Sequence, residues 1–194
     1  MNGMVKDSDI PDFSATIYKE SRRLITLVND IIKISELDSH DAYEKEELDL
    51  YEVCDEVVNV LSDAAEHKGI KIEFSGATAI ITGVKQIVFE MIYNICDNAI
   101  KYNNENGSVK INLVNTDAKA TVTVTDTGIG IPYDHQSRVF ERFYRVDKSH
   151  SKQTGGTGLG LSIVKHGAIF HDADIRLDST PGVGTAISIT FKLN

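Results

Sequence analysis

The sequence lacks several features that mark particular classes of protein. It contains no tryptophan, three prolines and two cysteines, and its Lys+Arg total of 20 falls short of its Asp+Glu total of 29. Cys54 and Cys96 lie in apolar stretches and form neither a CxxC pair nor a secreted disulfide framework, which favours a reducing, cytosolic setting. No apolar run approaches the ~20 residues of a membrane span, and no signal peptide is recognised. The formal net charge of −9 argues against a nucleic-acid partner, because such proteins carry a basic face.

The remaining composition is that of an ordinary folded protein. Hydrophobic residues make up 41% of the 194 positions and charged residues 25%, which excludes a wholly disordered chain. A chain of this length buries about 70% of the surface that it exposes when unfolded, so it needs no disulfide or metal to fold. The length predicts one domain with an appended segment, or two small domains.

A long helix is predicted from Pro11 to about Leu37. Apolar residues recur there with heptad spacing, at Ile17, Leu24, Val28 and Ile31. This stripe is too apolar for a lone exposed helix, so we expect it to need a partner helix. The predicted solvent-exposed face carries Lys19, Arg22, Arg23, Asn29, Asp30 and Lys33.

Two further segments follow this first region, which spans residues 1–38. Residues 39–46 have no periodicity and many charges, so they predict a linker. Residues 47–194 mix helical patterns with alternating strands, which predicts an α+β fold: a two-layer sandwich whose mostly antiparallel sheet has helices on one face. Helices are expected at 50–67, 84–102 and 159–171, strands at 69–74, 79–82, 109–113, 120–124, 173–179 and 185–193, and a functional loop at 133–157.

A polar stripe runs along the otherwise apolar helix predicted at 84–102. Glu90, Asn94, Asn98 and Lys101 recur on one face, with Asp97 beside them. A solvated surface of an ordinary helix would also look like this. Asparagine is, however, a mediocre helix former, and its amide can ligate a hard cation or donate to a phosphate.

A glycine-rich exit from a strand forms the second motif, Asp126-Thr-Gly-Ile-Gly-Ile-Pro132. It can be a flexible strand end and nothing more. A carboxylate followed by two glycines nevertheless offers an acceptor beside backbone that a planar ligand can approach closely. Asp126 could then accept from an exocyclic amine.

The third motif, Gly155-Gly-Thr-Gly-Leu-Gly-Leu-Ser162, enters a helix. Its backbone N–H groups and the positive end of the helix dipole form a phosphate cradle, and the glycines can also act as a loop hinge. The motif matches neither a P-loop nor a Rossmann fingerprint. Between the glycine motifs lies Phe140-Glu-Arg-Phe-Tyr-Arg145, whose aromatic pair can anchor the loop. Arg145 is either a surface cation or a phosphate clamp.

In this order the motifs resemble the nucleotide-binding domain of sensor histidine kinases, in the superfamily that includes DNA gyrase and the mismatch-repair ATPases. Asn94-Ile-Cys-Asp-Asn98-Ala-Ile-Lys-Tyr102 resembles the family's N box, and Asp126-Thr-Gly-Ile-Gly130 its first glycine box. Phe140–Arg145 resembles the F box, and Gly156-Thr-Gly-Leu-Gly160 the second glycine box. The resemblance covers roughly residues 47–194.

The resemblance implies that the chain binds ATP and Mg²⁺. Asn98 would coordinate the metal, and Asn94 would contact the same ion or the adjoining phosphates. Lys101 would meet phosphate, Tyr102 would lie along the ribose or base, and Arg145 would reach the γ-phosphate.

The glycine boxes would hold the two ends of the nucleotide. Asp126 would accept from the adenine amino group, with the backbone of Gly128 and Gly130 beside the base. The phosphate tail would lie under a lid at 133–157, held by the amides of Gly156, Thr157, Gly158, Leu159 and Gly160. His150 and Lys152 replace arginines that many relatives carry in this lid, so its phosphate contacts are expected to be weaker.

The same resemblance implies the role of the whole protein. The N-terminal helix is similar to the second helix of the family's dimerisation and phosphoacceptor hairpin, and none of the six histidines has the context of the acceptor. Each of them, His171 included, is expected to be structural or solvated. We therefore expect a fragment of a homodimeric, membrane-anchored bacterial sensor, with its cytoplasmic part phosphorylating a histidine for relay to a response-regulator receiver domain. The fragment alone is not expected to phosphorylate itself.

Two other functions remain open from the sequence. A Ser/Thr kinase of the anti-sigma type shares this fold, although such relatives generally lack the preceding helix. A catalytically silent adapter is disfavoured by the retention of every motif, and it would require the loss of nucleotide binding.

Overall fold

The computed structural model describes residues 10–39, 43–146 and 157–193. Five helices and seven strands occur in this part of the chain. The helices are α1 (Ile10–Ser39), α2 (Leu50–His67), α3 (Lys85–Lys101), α4 (Tyr133–Gln136) and α5 (Gly160–Phe170). The strands are β1 (Glu46–Asp49), β2 (Lys71–Ser75), β3 (Ile80–Gly83), β4 (Ser108–Asn115), β5 (Lys119–Asp126), β6 (Asp174–Thr180) and β7 (Gly184–Lys192).

A five-stranded sheet forms one layer, in the order β2-β4-β5-β7-β6. Only the β2–β4 pair is parallel, and the other three pairs are antiparallel. The strands predicted at 109–113 and 120–124 therefore pair as one hairpin, β4–β5, and those predicted at 173–179 and 185–193 pair as another, β6–β7. On one face the alternating apolar residues are buried, whereas hydroxyls pair across the other face, Thr121 with Thr190 at 3.0 Å and Thr123 with Ser188 at 2.9 Å.

The second layer consists of α2, α3 and α5, which pack on the apolar face of the sheet and on each other. The α3–α5 contact is close, because a Cβ on Gly167 would lie 2.7 Å from the Met91 sulfur. This arrangement confirms the predicted α+β two-layer sandwich. The most deeply buried large side chains are Leu50, Ile81, Met91, Ile92, Ile111, Leu159, Ile189 and Phe191.

Residues 40–42 of the linker predicted at 39–46 lie outside the described residues. Its two ends belong to neighbouring elements, because Ser39 ends α1 and Glu46 begins β1. This strand pairs antiparallel with β3, from Glu46 opposite Gly83 to Asp49 opposite Ile80. Asp49 then caps α2, since its Oδ1 accepts from Tyr51 N and from Ala79 N at 2.9 Å each. A capping carboxylate of this kind satisfies N–H groups that the first helical turn leaves unpaired.

Helix α1 packs against the domain near its C-terminal end. Ile34 is buried with Leu159 and Ile163 of α5, and Leu27 packs beside them. The expected heptad stripe is largely uncovered toward the other end, where Ile17 is 65% exposed and Leu24, Val28 and Ile31 are also exposed. No helix within the described residues is long and apolar enough to cross a bilayer.

His171 has the structural role expected of it. Its Nδ1 donates to Gly167 O at 2.8 Å, and its Nε2 accepts from Val84 N at 3.0 Å. The ring is only 9% exposed and packs between Phe170 and Phe191. Both ring nitrogens are thus used by the neutral imidazole, which joins the end of α5 to the start of α3.

This environment predicts an acid-sensitive fold. Burial lowers the pKa of His171 below that of an exposed imidazole, although the bond to Gly167 opposes this. The unfolded chain therefore takes up the proton first as the pH falls below ~6.5, and stability is lost from there down through the lowered folded-state pKa. Urea unfolding between pH 7.5 and 5 should show this loss, and His171→Gln should flatten it. The exposed His67→Gln variant should retain the wild-type slope.

Candidate functional site

The motifs found in the sequence meet at one edge of the sandwich. The end of α3 joins the loop after β5, because Ile129 N donates to Tyr102 O at 3.1 Å. A Cβ on Gly128 would collide with the same carbonyl oxygen. The start of α5 approaches the middle of α3, since a Cβ on Gly160 would lie 2.7 Å from Asn94 Oδ1. Glycine at these two positions is what allows the three motifs to come together.

The two asparagines of α3 lie one turn apart and are half-buried. Asn94 Nδ2 donates to Glu90 O at 2.8 Å, which turns Oδ1 toward Gly160 and the first turn of α5. An amide oxygen beside a helix N-terminus suits a hard cation that also binds phosphate, so Asn94 and Asn98 fit Mg²⁺. Across the described ranges, no three His, Cys, Asp or Glu side chains group as a metal site.

Lys101, the cation of the polar stripe, forms an ion pair within α3. Lys101 Nζ lies 2.6 Å from Asp97 Oδ2, one turn earlier on α3. A phosphate would have to compete with this carboxylate, so a contact between phosphate and Lys101 stays a prediction. Tyr102, at the helix end, is 40% exposed, and its ring is accessible to a ligand.

The carboxylate of Asp126 is held in one orientation by backbone donors. Its Oδ1 accepts from Gly128 N at 2.8 Å and from Thr185 N at 3.2 Å. Burial raises the pKa of Asp126, and these two bonds oppose that rise. Among the described residues both bonds fall on Oδ1, so Oδ2 can accept a hydrogen bond from a ligand.

The rest of the first glycine box is fastened to the β6–β7 turn. Gly130 has a φ of +66°, and a Cβ there would collide with Thr180 O. Gly182 N donates to Ile129 O at 2.8 Å, and Ile131 N donates to Ser179 Oγ at 2.9 Å. The backbone beside Asp126 is therefore tied to the β6–β7 turn by several contacts, and we expect it to form a rigid wall rather than a flexible strand end.

The described part of the second glycine box begins at Thr157. Leu159 N donates to Thr157 Oγ1 at 3.3 Å, and Gly158 O accepts from Phe143 N at 3.0 Å. The N–H of Leu159 is thus bonded within the motif, and binding of an anion at the first turn of α5 stays a prediction. Gly156, His150 and Lys152, together with the rest of 147–156, lie outside the described residues.

The predicted loop at 133–157 contains a helical turn, α4, which the sequence pattern did not indicate. Gln136 supports it from its C-terminal end, where Nε2 donates to Ile131 O at 2.9 Å and to Ser179 O at 2.8 Å. In the F box, Tyr144 bonds to His135 Nδ1 and lies under the Arg138 guanidinium, 4.3 Å from the ring centroid. Tyr144 is therefore held within the loop, whereas anchoring of the loop by the aromatic pair stays a prediction.

Phe143 and Arg145 of the F box differ in their surroundings. Phe143 is 57% exposed and adopts a φ of +64°, a left-handed conformation that is unusual for an aromatic residue. Arg145 is half-buried and interacts with another residue of the chain. Its role as a phosphate clamp stays a prediction.

Sequence patterns missed the residues that reach the site from other elements. Thr185 and Ser179 come from β7 and β6, and nothing local in the sequence marks them. Asp30 and Lys33 of α1 were expected on a solvent-exposed face, and that expectation is wrong for Asp30, whereas the Lys33 side chain is 42% exposed. Asp30 is half-buried and accepts from Thr157 Oγ1 at 2.9 Å, and Lys33 lies 2.7 Å from Glu90.

Comparison with known proteins assigns this geometry to a family. Residues 83–194 match the family model described as histidine kinase-, DNA gyrase B-, and HSP90-like ATPase. The chain is 36% identical over 194 residues to the sensor-like histidine kinase SenX3 of Mycolicibacterium smegmatis, covering 97% of this chain and 50% of that protein. It therefore spans about half the length of that curated relative.

Solved structures show the same fold. The mycobacterial sensor histidine kinase MprB superposes with a TM-score of 0.69 at 29% identity, over 78% of this chain and 99% of that chain. Full-length ShkA, solved in complex with AMPPNP, gives a TM-score of 0.80 at 23% identity, over 95% of this chain and 39% of that chain.

Proposed function

Because the chain belongs to the family of histidine kinase-, DNA gyrase B- and HSP90-like ATPases, and is the ATP-binding catalytic portion of a two-component sensor histidine kinase, we propose how its residues hold the nucleotide. The observation that carries the proposal is the meeting of three motifs at one edge, through the Tyr102–Ile129 hydrogen bond and the approach of Asn94 to Gly160. Together they form a site with a base-binding end and a phosphate-binding end.

Asp126 recognises adenine at the base-binding end. Its Oδ2 accepts from the exocyclic amino group, while the two backbone N–H groups on Oδ1 prevent the carboxylate from turning away. The backbone at Gly128 lies flat beside the base, and the exposed ring of Tyr102 covers the ribose or base. A fixed acceptor in a half-buried position discriminates well, because a wrong partner leaves it unpaired.

The phosphates lie between α3 and the first turn of α5. The amides of Thr157, Gly158 and Leu159 and the helix N-terminus donate to phosphate oxygens. Asn94 and Asn98 hold Mg²⁺, which when bound neutralises phosphate charge, and Lys101 and Arg145 add positive charge beside the tail. Gly156 belongs to the same proposal, although it lies outside the described residues.

In the whole protein we propose phosphoryl transfer to a histidine. An imidazole nitrogen of the phosphoacceptor hairpin forms a bond to the γ-phosphorus, the bond to the β,γ-bridging oxygen breaks, and ADP leaves. The residues of this chain position the nucleotide and balance its charge, which is most of what this chemistry asks of a protein. An aspartate of a response-regulator receiver domain then accepts the phosphoryl group.

The exposed heptad stripe supports the remaining proposals about assembly. Ile17 and Leu24 are more than half exposed, so α1 has an apolar face that the first helix of the hairpin and a second copy of the full-length protein would cover. We place this portion on the cytoplasmic side of a membrane-anchored bacterial sensor. No nucleic-acid partner is proposed, in keeping with the net charge of −9.

Removal of magnesium should weaken nucleotide binding through the two asparagines. Calorimetric titration of the chain with a non-hydrolysable ATP analogue should give tighter binding with Mg²⁺ than with EDTA. Asn94→Ala and Asn98→Ala should lose most of that difference, because each removes an amide oxygen from the metal. Asn59→Ala, on the exposed face of α2, is the matched control and should keep it.

Two results would contradict these assignments. If the asparagine variants keep the full magnesium effect, the metal is held elsewhere. If the parent chain binds no nucleotide under either condition, the catalytic proposal fails in favour of a silent adapter.

A further inference from the structure

Helix α1 places a carboxylate at the phosphate-binding end of the site. Thr157 Oγ1 donates to Asp30 Oδ2 at 2.9 Å, and the same hydroxyl oxygen accepts from Leu159 N at 3.3 Å. The contact is fixed by packing, because Ile34, one turn further along α1, is buried with Leu159 and Ile163. Asp30 thus bonds directly to the segment that is proposed to hold the phosphate tail.

The charges around this carboxylate are those that a phosphate would meet. Lys33 and Lys101 act on Asp30 favourably and Glu90 unfavourably. Burial is the largest effect and raises the pKa of Asp30, whereas the bond from Thr157 lowers it. Lys33 also forms an ion pair with Glu90 at 2.7 Å, which links α1 to α3 as well. The Asp30 carboxylate therefore already interacts with Lys33 and Lys101, the positive charges that a phosphate would meet at this end of the site.

We propose that Asp30 competes with nucleotide phosphate for the Thr157 hydroxyl, so that docking of α1 and binding of nucleotide oppose each other. This inference rests on the proposed function, which places the phosphate tail at this segment. The Thr157 hydroxyl has a single proton and cannot donate it to Asp30 and to a phosphate oxygen together. A triphosphate also brings negative charge beside a half-buried carboxylate, and like charges close together in a partly desolvated position repel strongly.

Docking of α1 and binding of nucleotide weaken each other reciprocally. If Asp30 lowers the affinity for nucleotide by some factor, bound nucleotide must lower the affinity of α1 for the domain by the same factor. The hydrophobic contact of Ile34 and Leu27 with α5 would remain as the force that restores docking when nucleotide leaves. Binding of nucleotide thereby changes the position of α1. The exposed apolar stripe of this helix is the face that we propose to contact the rest of the hairpin.

The test measures nucleotide affinity after the carboxylate is altered in the full chain. Asp30→Asn keeps an oxygen for Thr157 but removes the charge, and Asp30→Ala removes both. Titration with a non-hydrolysable ATP analogue and Mg²⁺ should give affinities about fivefold or more above the parent chain, with the larger gain for Asp30→Ala. Asp12→Asn makes the same charge change on the exposed first turn of α1 and should bind as the parent does.

Amide hydrogen exchange gives the second readout. Exchange of α1 amides around Leu27–Ile34 should speed up when the analogue is added to the parent chain, and it should be faster without nucleotide in Asp30→Ala. Protection of the α3 amides, which lie in the core, shows that each variant is folded.

The outcomes separate this inference from the function on which it rests. Parent-like affinity in both Asp30 variants would overturn the competition, and weaker binding would overturn it in favour of a direct contact between Asp30 and the ligand. Absence of binding in every protein, the Asp12 variant included, would overturn the proposed function and this inference with it.

Discussion

Asp126→Asn should weaken binding of a non-hydrolysable Mg²⁺·ATP analogue by roughly 10- to 150-fold, the ~1.5–3 kcal/mol of a hydrogen bond to a charged group. The asparagine oxygen can still accept from Gly128 N and Thr185 N, which hold Oδ1 in the parent chain. The amide nitrogen must then take the place of Oδ2 and face the adenine amino group, so two donors meet. Calorimetric titration measures the loss.

The matched controls distinguish recognition from damage to the fold. Asp178→Asn makes the same change on an exposed position of β6 and should bind as the parent does. The thermal midpoint of Asp126→Asn should stay close to that of the parent, because burial already disfavours the charge at this position. The parent chain should also prefer ATP over GTP, whose base presents a carbonyl where adenine has its amine. An unchanged preference in the variant would contradict the assignment of Asp126 to adenine.

The elements that the sequence predicted well are those whose pattern is complete within a few residues. Val109, Ile111 and Leu113 alternate along β4, and all three are buried on the helix-covered face. The strand β1 has the sequence Glu-Glu-Leu-Asp and only Leu48 turned inward. Its existence depends on pairing with β3, more than 30 residues later, which no local period can reveal.

The site also contains both kinds of feature: some are local sequence motifs, and others depend on contacts between elements that are distant in the sequence. The asparagines of α3 and the glycines around Asp126 are local motifs, so their contribution could be predicted before the structure was known. Thr185 reaches Asp126 only because β7 lies beside β5 in the sheet. Asp30 has the polar character of a surface residue, and helical periodicity cannot say which polar residues of α1 meet α5. Both the contact of Thr185 with Asp126 and the position of Asp30 are set by packing between elements.

Gly130→Ala should cost the fold about 3 kcal/mol or more in the free energy of unfolding and should also abolish nucleotide binding. A left-handed φ of +66° already costs a residue with a Cβ ~1–2 kcal/mol. The added Cβ would in addition collide with Thr180 O, a backbone atom that cannot rotate away, and overpacking of this kind adds ~1–3 kcal/mol. Relief requires the loop after β5 to move off the β6–β7 turn, and that movement takes Asp126 with it.

Gly182→Ala provides the control for this substitution. Both glycines have a left-handed φ, but only at Gly130 would an added Cβ collide with another atom. Gly182 has a φ of +78°, and a Cβ there would have no atom within 4 Å. The variant should therefore lose only the ~1–2 kcal/mol of the left-handed conformation and should keep its affinity for nucleotide. Urea unfolding and calorimetric titration of the pair measure both quantities. Equal losses of stability in the two variants, with binding retained in both, would mean that the first glycine box is free to shift and that the rigid wall beside Asp126 does not exist.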